Sequence, residues 1–407
     1  ADLRAMRVAV IGGGAAGFFA ALSALEQRQD AIVTLFEKSD KLLSKVRISG
    51  GGRCNVTHDE PSISRLVKNY PRGASFLRKA FTVFTVPDTI AWFQRHRVTL
   101  KTEADGRMFP VTDDSGSIVN ALMEAAADHG VRIKLRSGVS HIEPMGNGYR
   151  LHVNGQWIDA DKVIVTTGGH PKREAYGWLE ELGHRIVPPM PSLFTFNIPD
   201  HPIHQLMGVA LPARVRIIGT SLESTGPVLI THWGLSGPAV LRLSAWGARE
   251  LAERSYRFTV QVNWTGGRPE DELRSILQLE AMAMERKAAR NADPFHLPTR
   301  FWEYQLARAD IDPAQPWGTI PRKSKNRLLD LLTNDRYDVR GKTTFKEEFV
   351  TAGGIGLAEV DPTRMESRLR PGLHFAGEVL DIDGITGGFN FQAAWTTGFI
   401  AGRSAVT

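Results

Sequence analysis

Six residues near the start of the chain have a spacing that suits one kind of chemistry. Gly12-Gly13-Gly14-Ala15-Ala16-Gly17 follows the G-x-G-x-x-G pattern. Glycine there permits a tight turn, lets the backbone approach a pyrophosphate, and leaves the N–H groups of a helix start free to bind it. Glu37 stands twenty residues after Gly17, where a carboxylate can bind the hydroxyls of a free ribose and would repel a 2′-phosphate. A purely structural glycine turn is the weaker reading, because a strand precedes the motif, a helix follows it and the acid falls where it is needed.

Two further clusters could do chemistry. Ser49-Gly50-Gly51-Gly52-Arg53-Cys54-Asn55 combines a glycine loop with an arginine able to meet phosphate and an asparagine able to bond amide or carbonyl edges. Its competing reading is a flexible surface loop. Cys54 fits a small neighbour of a cofactor better than a nucleophile. Near the other end, Gly377-Glu378-Val379-Leu380-Asp381-Ile382-Asp383-Gly384 and Thr386-Gly387-Gly388-Phe389-Asn390-Phe391-Gln392 precede an apolar helix. They offer a second helix N-terminus to an anionic or electron-rich group; were the ligand a flavin, that terminus could stabilise negative charge on its reduced ring, and a carboxylate earlier in the loop could bind ribityl hydroxyls. Asp381 and Asp383 could instead hold a divalent cation, but no histidine or further acid stands at ligand spacing, so no metal is expected.

The elements that must position these groups are legible. Met6–Ile11 reads as a buried strand, Ala15–Gln27 as a helix and Ala31–Phe36 as a second strand, which makes a βαβ unit. Val119–His129 reads as a helix, Val131–Leu135 and Lys162–Thr167 as strands, and Asn154-Gly155 as a hairpin turn between two more strands. Val187–Pro191 (VPPMP) is a plausible domain boundary, since proline disfavours helix and central strand alike. The expected class is α/β: a Rossmann-like dinucleotide-binding domain of residues 1–190 and 345–407, interrupted by an inserted domain of residues 191–344. Alternation of apolar and polar residues places a β part at about 191–267, and helical periodicity places a helical part at about 268–344.

Composition narrows the class. Of 407 residues 42% are hydrophobic, enough for at least one full core. The net charge of +6 suits an anionic ligand, a nucleic acid or an acidic surface without choosing among them. Cys54 is the only cysteine, so no intrachain disulfide or Cys-x-x-Cys pair can form, which suits a reducing cytoplasm. Arg4 and Arg7 before the apolar Val8–Leu25 stretch imitate a signal peptide, but the glycine spacing within it argues against that reading. No membrane association is expected.

On the fingerprint at Gly12, the KLLSKVRISGGGRCNVTH stretch from Lys41, the THWGLSGPA stretch from Thr231 and the long stretch from Thr351 to Gly398, the chain resembles the YhiN/BaiN-like FAD-dependent flavoproteins over nearly its whole length. The resemblance implies a glutathione-reductase-like Rossmann FAD domain interrupted by an inserted β domain and a small helical domain. It also implies that Gly12, Gly14, Ala15, Ala16 and Gly17 hold the pyrophosphate, that Glu37 and Lys38 flank the adenosine ribose, and that Val139 meets adenine. Ser49, Gly52, Arg53, Cys54 and Asn55, with Thr167, Gly168 and Gly169, would line the cofactor. Gly377, Glu378, Gly388, Phe389, Asn390, Phe391 and Gln392 would surround ribityl and isoalloxazine. Arg47 stands where the family usually has an apolar residue, which puts local packing in question.

Family names range over NAD(P)/FAD-dependent oxidoreductases, aminoacetone oxidases and reductases of steroid C=C bonds. The leading expectation is an FAD-dependent oxidoreductase acting on a small molecule, its flavin reduced by transient NAD(P)H or an organic substrate and reoxidised by a second substrate. A flavin amine oxidase using O2 is the alternative. A less favoured third reading is an RNA-associated flavoprotein, motivated by the basic balance and by Trp233, Trp246, Trp264 and Trp302. His232 is the candidate catalytic acid or base, although a structural histidine is the commoner outcome.

Overall fold

The computed structural model describes residues 4–344 and 350–407. They fall into two compact units, Ala1–Ser192 with Phe345–Thr407, and Leu193–Thr344. Among the described residues no helix is long and apolar enough to cross a membrane.

The first unit is built on a parallel five-stranded sheet. Its strands, in spatial order, are Leu373–Phe375, Lys162–Val165, β1 (Arg7–Ile11), β2 (Ile32–Phe36) and Arg132–Lys134. The central strands are largely apolar, RVAVI and IVTLF, because both faces are covered. Helix α1 (Ala15–Gln27) follows β1 and is buried along most of its length. Its neighbour is the C-terminal helix Phe389–Val406. A Cβ at Gly398 would lie 2.5 Å from the Ala16 carbonyl oxygen, and one at Gly402 would lie 2.1 Å from that of Ala20. The helices therefore run parallel and almost touching, an approach that only glycine allows.

A three-stranded meander, Val139–Met145, Gly148–Val153 and Gln156–Ala160, turns through Asn154 and Gly155, both at positive φ as a tight hairpin requires. The proline-rich Ile186–Ser192 segment is a strand, though not a central one. It pairs antiparallel with Val350–Ile355 in a two-stranded sheet, and its register shifts between Val187 and Met190. Pro188 and Pro189 occupy that irregularity, where a missing N–H costs no ladder bond.

The second unit has a seven-stranded sheet in the order Asp335–Arg340, Arg257–Asn263, Ala210–Ile217, Glu223–Ile230, Gly234–Ser236, Thr195–Asn197 and Lys342–Thr343. The separation into a β part and then a helical part is corrected in two places. Helices Pro238–Trp246 and Ala248–Glu253 lie inside the expected β stretch, and residues 335–343 are strands inside the expected helical one. The Asp335–Arg340 segment alternates buried and exposed positions, the period of a strand. Asp335, nearly fully buried, accepts from Trp264 Nε1 at 2.9 Å, Gln305 Nε2 at 3.1 Å and the Arg308 guanidinium at 2.8 and 2.9 Å, and also from the Tyr337 hydroxyl. Arg308 balances the buried charge, and these bonds tie the Thr299–Arg308 helix to the sheet.

Candidate functional site

The turn between β1 and α1 sorts its glycines by what surrounds them. Gly12 has φ +114° and a Cβ there would lie 2.3 Å from the Thr166 carbonyl oxygen. A Cβ at Gly17 would fall 1.9 Å from the Gly12 carbonyl oxygen. Both glycines are required by the protein's own packing. Gly14 has an ordinary φ of −95°, and a Cβ there would meet no protein atom within 4 Å. The space before Gly14 therefore suits a ligand, and α1 begins there with no side-chain cap and no acid in its first turn. Uncapped N–H groups and the positive end of the helix dipole are what a diphosphate needs.

Glu37 is held at the end of β2. Its carboxylate accepts from the Gly13 N–H at 2.9 Å, the Ser39 N–H at 2.8 Å and the Ser39 hydroxyl at 2.9 Å. The Ser137 N–H reaches the Glu37 carbonyl oxygen at 2.8 Å and a Cβ on Gly138 would press on Lys38, so Val139 starts its strand beside Glu37 and Lys38.

Helix α2 (Ser44–Gly52) breaks at Ser49, after which Gly50 and Gly51 are left-handed and Gly52 has φ +85°. The segment is a shaped turn closed by the Cys54 N–H on the Ser49 carbonyl at 3.0 Å, and space is open before Gly51 and Gly52. Cys54 is fully buried, and desolvation pushes its thiol up to about 12. Arg53 turns away from the phosphate role considered for it: its guanidinium lies over Phe109, 3.9 Å from the ring centroid, and donates to Glu103 at 2.6 Å and Asp113 at 3.4 Å. Arg47 is exposed, so the departure from an apolar residue disturbs no core. With its amide oxygen assigned toward the C-terminal helix, Asn55 accepts from the Gly388 N–H at 3.0 Å and donates to the Thr57 carbonyl at 3.1 Å.

Thr167, Gly168 and Gly169 follow the Lys162–Val165 strand, with Gly168 at φ +75°. A Cβ at Gly169 would lie 2.5 Å from Thr351 Oγ1 and 3.0 Å from the Glu378 carboxyl carbon. Glu378 accepts from the Thr351 N–H at 2.8 Å and pairs with Lys45 Nζ at 2.6 Å. Gly377 donates its N–H to Thr397 Oγ1 at 2.9 Å and packs on Ala16, which brings this loop against α1. Asp383 is fully buried, paired with Arg72 and bonded by the Ser192 hydroxyl at 2.9 Å.

The C-terminal helix starts after Gly388, at φ +90°, with no side-chain cap. The Asn390 amide clasps Gly384, accepting from its N–H at 2.8 Å and donating to its carbonyl at 3.0 Å. Phe389 stacks on His58 with centroids 4.6 Å apart. Gln392 is fully buried and its amide is bonded by Thr57, Thr89 and Thr396, so its side chain serves the core. Since Gly398 lies beside Ala16, the Phe389 end projects about 14 Å beyond that level, nine residues at 1.5 Å each. Two uncapped helix starts, offset along one direction, suit an extended ligand with a diphosphate at one end and an electron-rich ring at the other.

Lys45, Thr57, His58, Thr166, His170, Tyr176 and Thr351 contact or adjoin the candidate cofactor residues, and sequence reasoning gave them no role. Lys45, Thr57 and His58 lie inside the stretch from Lys41 already tied to flavoproteins, and the contacts that matter join positions far apart in the chain. His170 lies within electrostatic reach of Lys38, Lys45 and Glu378, and burial lowers its pKa. The backbone N–H of His170 donates to the Tyr176 hydroxyl at 2.9 Å. His232 belongs to the other unit, where it is exposed between the Glu223–Ile230 and Gly234–Ser236 strands with its ring edge-on to Trp233. Trp264 and Trp302 are core residues, while Trp233 bonds Thr195 and Trp246 is exposed.

Comparison with known proteins agrees with this geometry. Residues 6–404 match the model of the HI0933-like protein Rossmann domain. The chain belongs to the HI0933-like family. It is accordingly an FAD-dependent oxidoreductase with a Rossmann-type α/β fold. It is 29% identical to the 3-dehydro-bile acid delta(4,6)-reductase of Clostridium scindens, over 98% of each chain. It is 30% identical to the ribosomal RNA dihydrouridine synthase of Escherichia coli, over 98% of this chain and 97% of that one. Its fold is also similar to that of the 3-ketosteroid delta1-dehydrogenase of Sterolibacterium denitrificans, with a TM-score of 0.51 at 12% identity, covering 98% of this chain and 99% of that one.

Proposed function

We propose that this HI0933-like protein reduces a carbon–carbon double bond conjugated to a carbonyl group, and that its substrate is a uracil base in ribosomal RNA. The observation that carries this reading is that two relatives of nearly equal identity are named for very different substrates and the same bond chemistry. Dihydrouridine is uridine with two hydrogens added beside a carbonyl. A delta(4,6)-reductase acting on a 3-dehydro substrate removes unsaturation beside one too. The net charge of +6 is compatible with a polyanionic substrate. The second reading, a 3-oxo steroid, is supported by the Clostridium scindens relative.

When bound, FAD supplies a hydride acceptor and donor, refilled by NAD(P)H or another reductant. The chain's own part is to bind and orient. The α1 N-terminus at Gly14 would hold the diphosphate and Glu37 the adenosine ribose, and the start of the Phe389–Val406 helix would stabilise negative charge on the reduced ring. Glu378, anchored by Lys45 and Thr351, would bind the ribityl hydroxyls. His232 remains the candidate donor of the proton that joins the second carbon.

Anaerobic stopped-flow mixing tests the reading. NADH or NADPH should bleach the flavin, and deproteinised ribosomal RNA should restore its colour with dihydrouridine formed. Restoration by a 3-oxo-4,6-diene bile acid and not by RNA selects the steroid. Bleaching by an amine, with peroxide release in air, selects the amine oxidase instead. His232→Ala should keep FAD and slow reoxidation about 100-fold. Unchanged half-reactions in that variant would remove His232.

A further inference from the structure

The sheet of the Leu193–Thr344 unit has one face packed and one face open. On the packed face, Leu211, Ala213, Val215 and Ile217 meet Val228, Ile230, Val260, Val262, Tyr337 and Val339, all buried. The alternate residues turn outward, and they are arginine-rich: Arg214 and Arg216 on one strand, Arg257 on the next, Arg336 and Arg340 on the edge strand. Register aligns Arg336, Gln261, Arg216 and Glu223 in one row across four strands. Among the described residues none of the five arginines has a carboxylate within ion-pair distance. Asp338, one of two acids on the face, already accepts from the Thr259 hydroxyl at 2.9 Å.

Edge-strand protection accounts for charge on Asp335–Arg340. It does not account for Arg214, Arg216 and Arg257 on interior strands. Arg257 and Arg340 lie directly opposite each other, a like-charge pair that costs stability unless an anion lies over it. Arginines on alternate residues stand about 7 Å apart along a strand and about 5 Å apart between strands. That grid is on the scale of successive phosphates in a nucleic acid strand, and the guanidinium fork suits phosphate oxygens.

We propose that this open sheet face is the platform that grips the phosphodiester backbone of an RNA. The inference rests on the reading of ribosomal RNA as substrate and adds the surface that would position it. Neutral Gln261, Thr259 and Thr225 interleave with the arginines and can donate or accept toward sugar hydroxyls.

The test compares the FAD-loaded wild type with the triple variant Arg216→Gln/Arg257→Gln/Arg336→Gln in binding deproteinised ribosomal RNA between 50 and 300 mM salt, a range set by the salt dependence of phosphate contacts. The variant should keep FAD and melting temperature, bind roughly tenfold or more weakly, and lose about 2 to 3 from the slope of log affinity against log salt, near 0.7 to 0.9 per phosphate. The corresponding triple lysine variant should recover the slope, because a phosphate also accepts a point charge. Equal slope and affinity in wild type and glutamine variant would remove the platform and leave the RNA reading standing. No RNA binding by the wild type, together with turnover of a 3-oxo steroid, would remove both. Tighter binding to vesicles of anionic phospholipid than to RNA would reassign the face and overturn the proposal.

Discussion

The two glycine-bearing helix starts of the first unit solve different problems with the same residue type. At α1, Gly12 and Gly17 make room for protein, while Gly14 makes room for something that is not protein. At the C-terminal helix, Gly387 would press on Phe389 and Gly388 on the Thr57 backbone, so both glycines serve internal packing. The first start leaves a cradle and the second builds a wall. A motif glycine therefore cannot be given a role by its spacing alone; the role follows from which atoms a Cβ would meet.

The largest expected effect separates two positions of one motif. Gly17→Val must displace the backbone at Gly12 and should cost more than about 4 kcal/mol, read as loss of folded protein in a thermal melt. Gly14→Val should fold, with a melting temperature within about 4 °C of the flavin-free wild type, yet lose more than about 99% of its FAD. A yellow Gly14→Val protein with normal FAD content would break the comparison at its root.

Gly388→Ala should fall between these extremes. Its Cβ would sit 2.5 Å from the Thr57 carbonyl group, and its φ of +90° is one an L residue rarely adopts. A cost of about 2 kcal/mol or more in denaturant unfolding is expected, with weaker FAD binding because the helix start shifts. An alanine variant as stable as wild type would show that this wall yields, and the contrast with α1 would narrow.

Much of the fold could be read in advance because its signals are local. The βαβ unit, the Asn154-Gly155 hairpin and the helix read from Val119, which begins at Ser115, each rest on residues adjacent in the chain. The Asp335–Arg340 strand was missed because its buried Asp335 reads as a surface residue until Arg308, Trp264 and Gln305 are brought to it from distant positions. The same holds in the site. The fingerprint is contiguous, whereas Glu378 acquires its position from Lys45 and Thr351, and Arg53 acquires Glu103 and Asp113 only once the chain has folded. A guanidinium looks like a phosphate ligand in sequence and becomes a structural clasp when two carboxylates reach it first.

The sheet that carries the fingerprint also holds a smaller, pH-dependent test. His374, on the strand beside Lys162–Val165, is fully buried, and among the described residues neither ring nitrogen has a hydrogen-bond partner. Desolvation lowers its pKa to about 4. In the unfolded chain the imidazole takes a proton near pH 6.5, so the unfolded state binds more protons between the two values. Stability is present above pH 6.5 and is lost as pH falls toward 4, by up to about 3 kcal/mol at 1.36 kcal/mol per unit. His374→Leu should flatten that part of a melting-temperature profile, with His170, His184 and His201, whose pKa values burial also lowers, supplying acid sensitivity that remains. A variant profile parallel to wild type would place the acid response elsewhere.

The smallest effect concerns the shaped turn that meets the C-terminal wall. Cys54 sits inside it with φ +62°, fully buried, its thiol near 12. At pH 8 such a thiol is thiolate in about one molecule in ten thousand, against roughly a quarter for a free cysteine. Iodoacetamide should therefore label the native protein at least a thousandfold more slowly than the urea-unfolded chain. Cys54→Ala should leave flavin reduction and reoxidation within about twofold of wild type, since the sulfur is buried and held as the unreactive thiol. Deletion of a small buried group should cost only about 1 kcal/mol of stability. Rapid labelling of the native protein, or loss of turnover in the alanine variant with FAD content intact, would make Cys54 part of the chemistry and return the turn to the list of reactive elements.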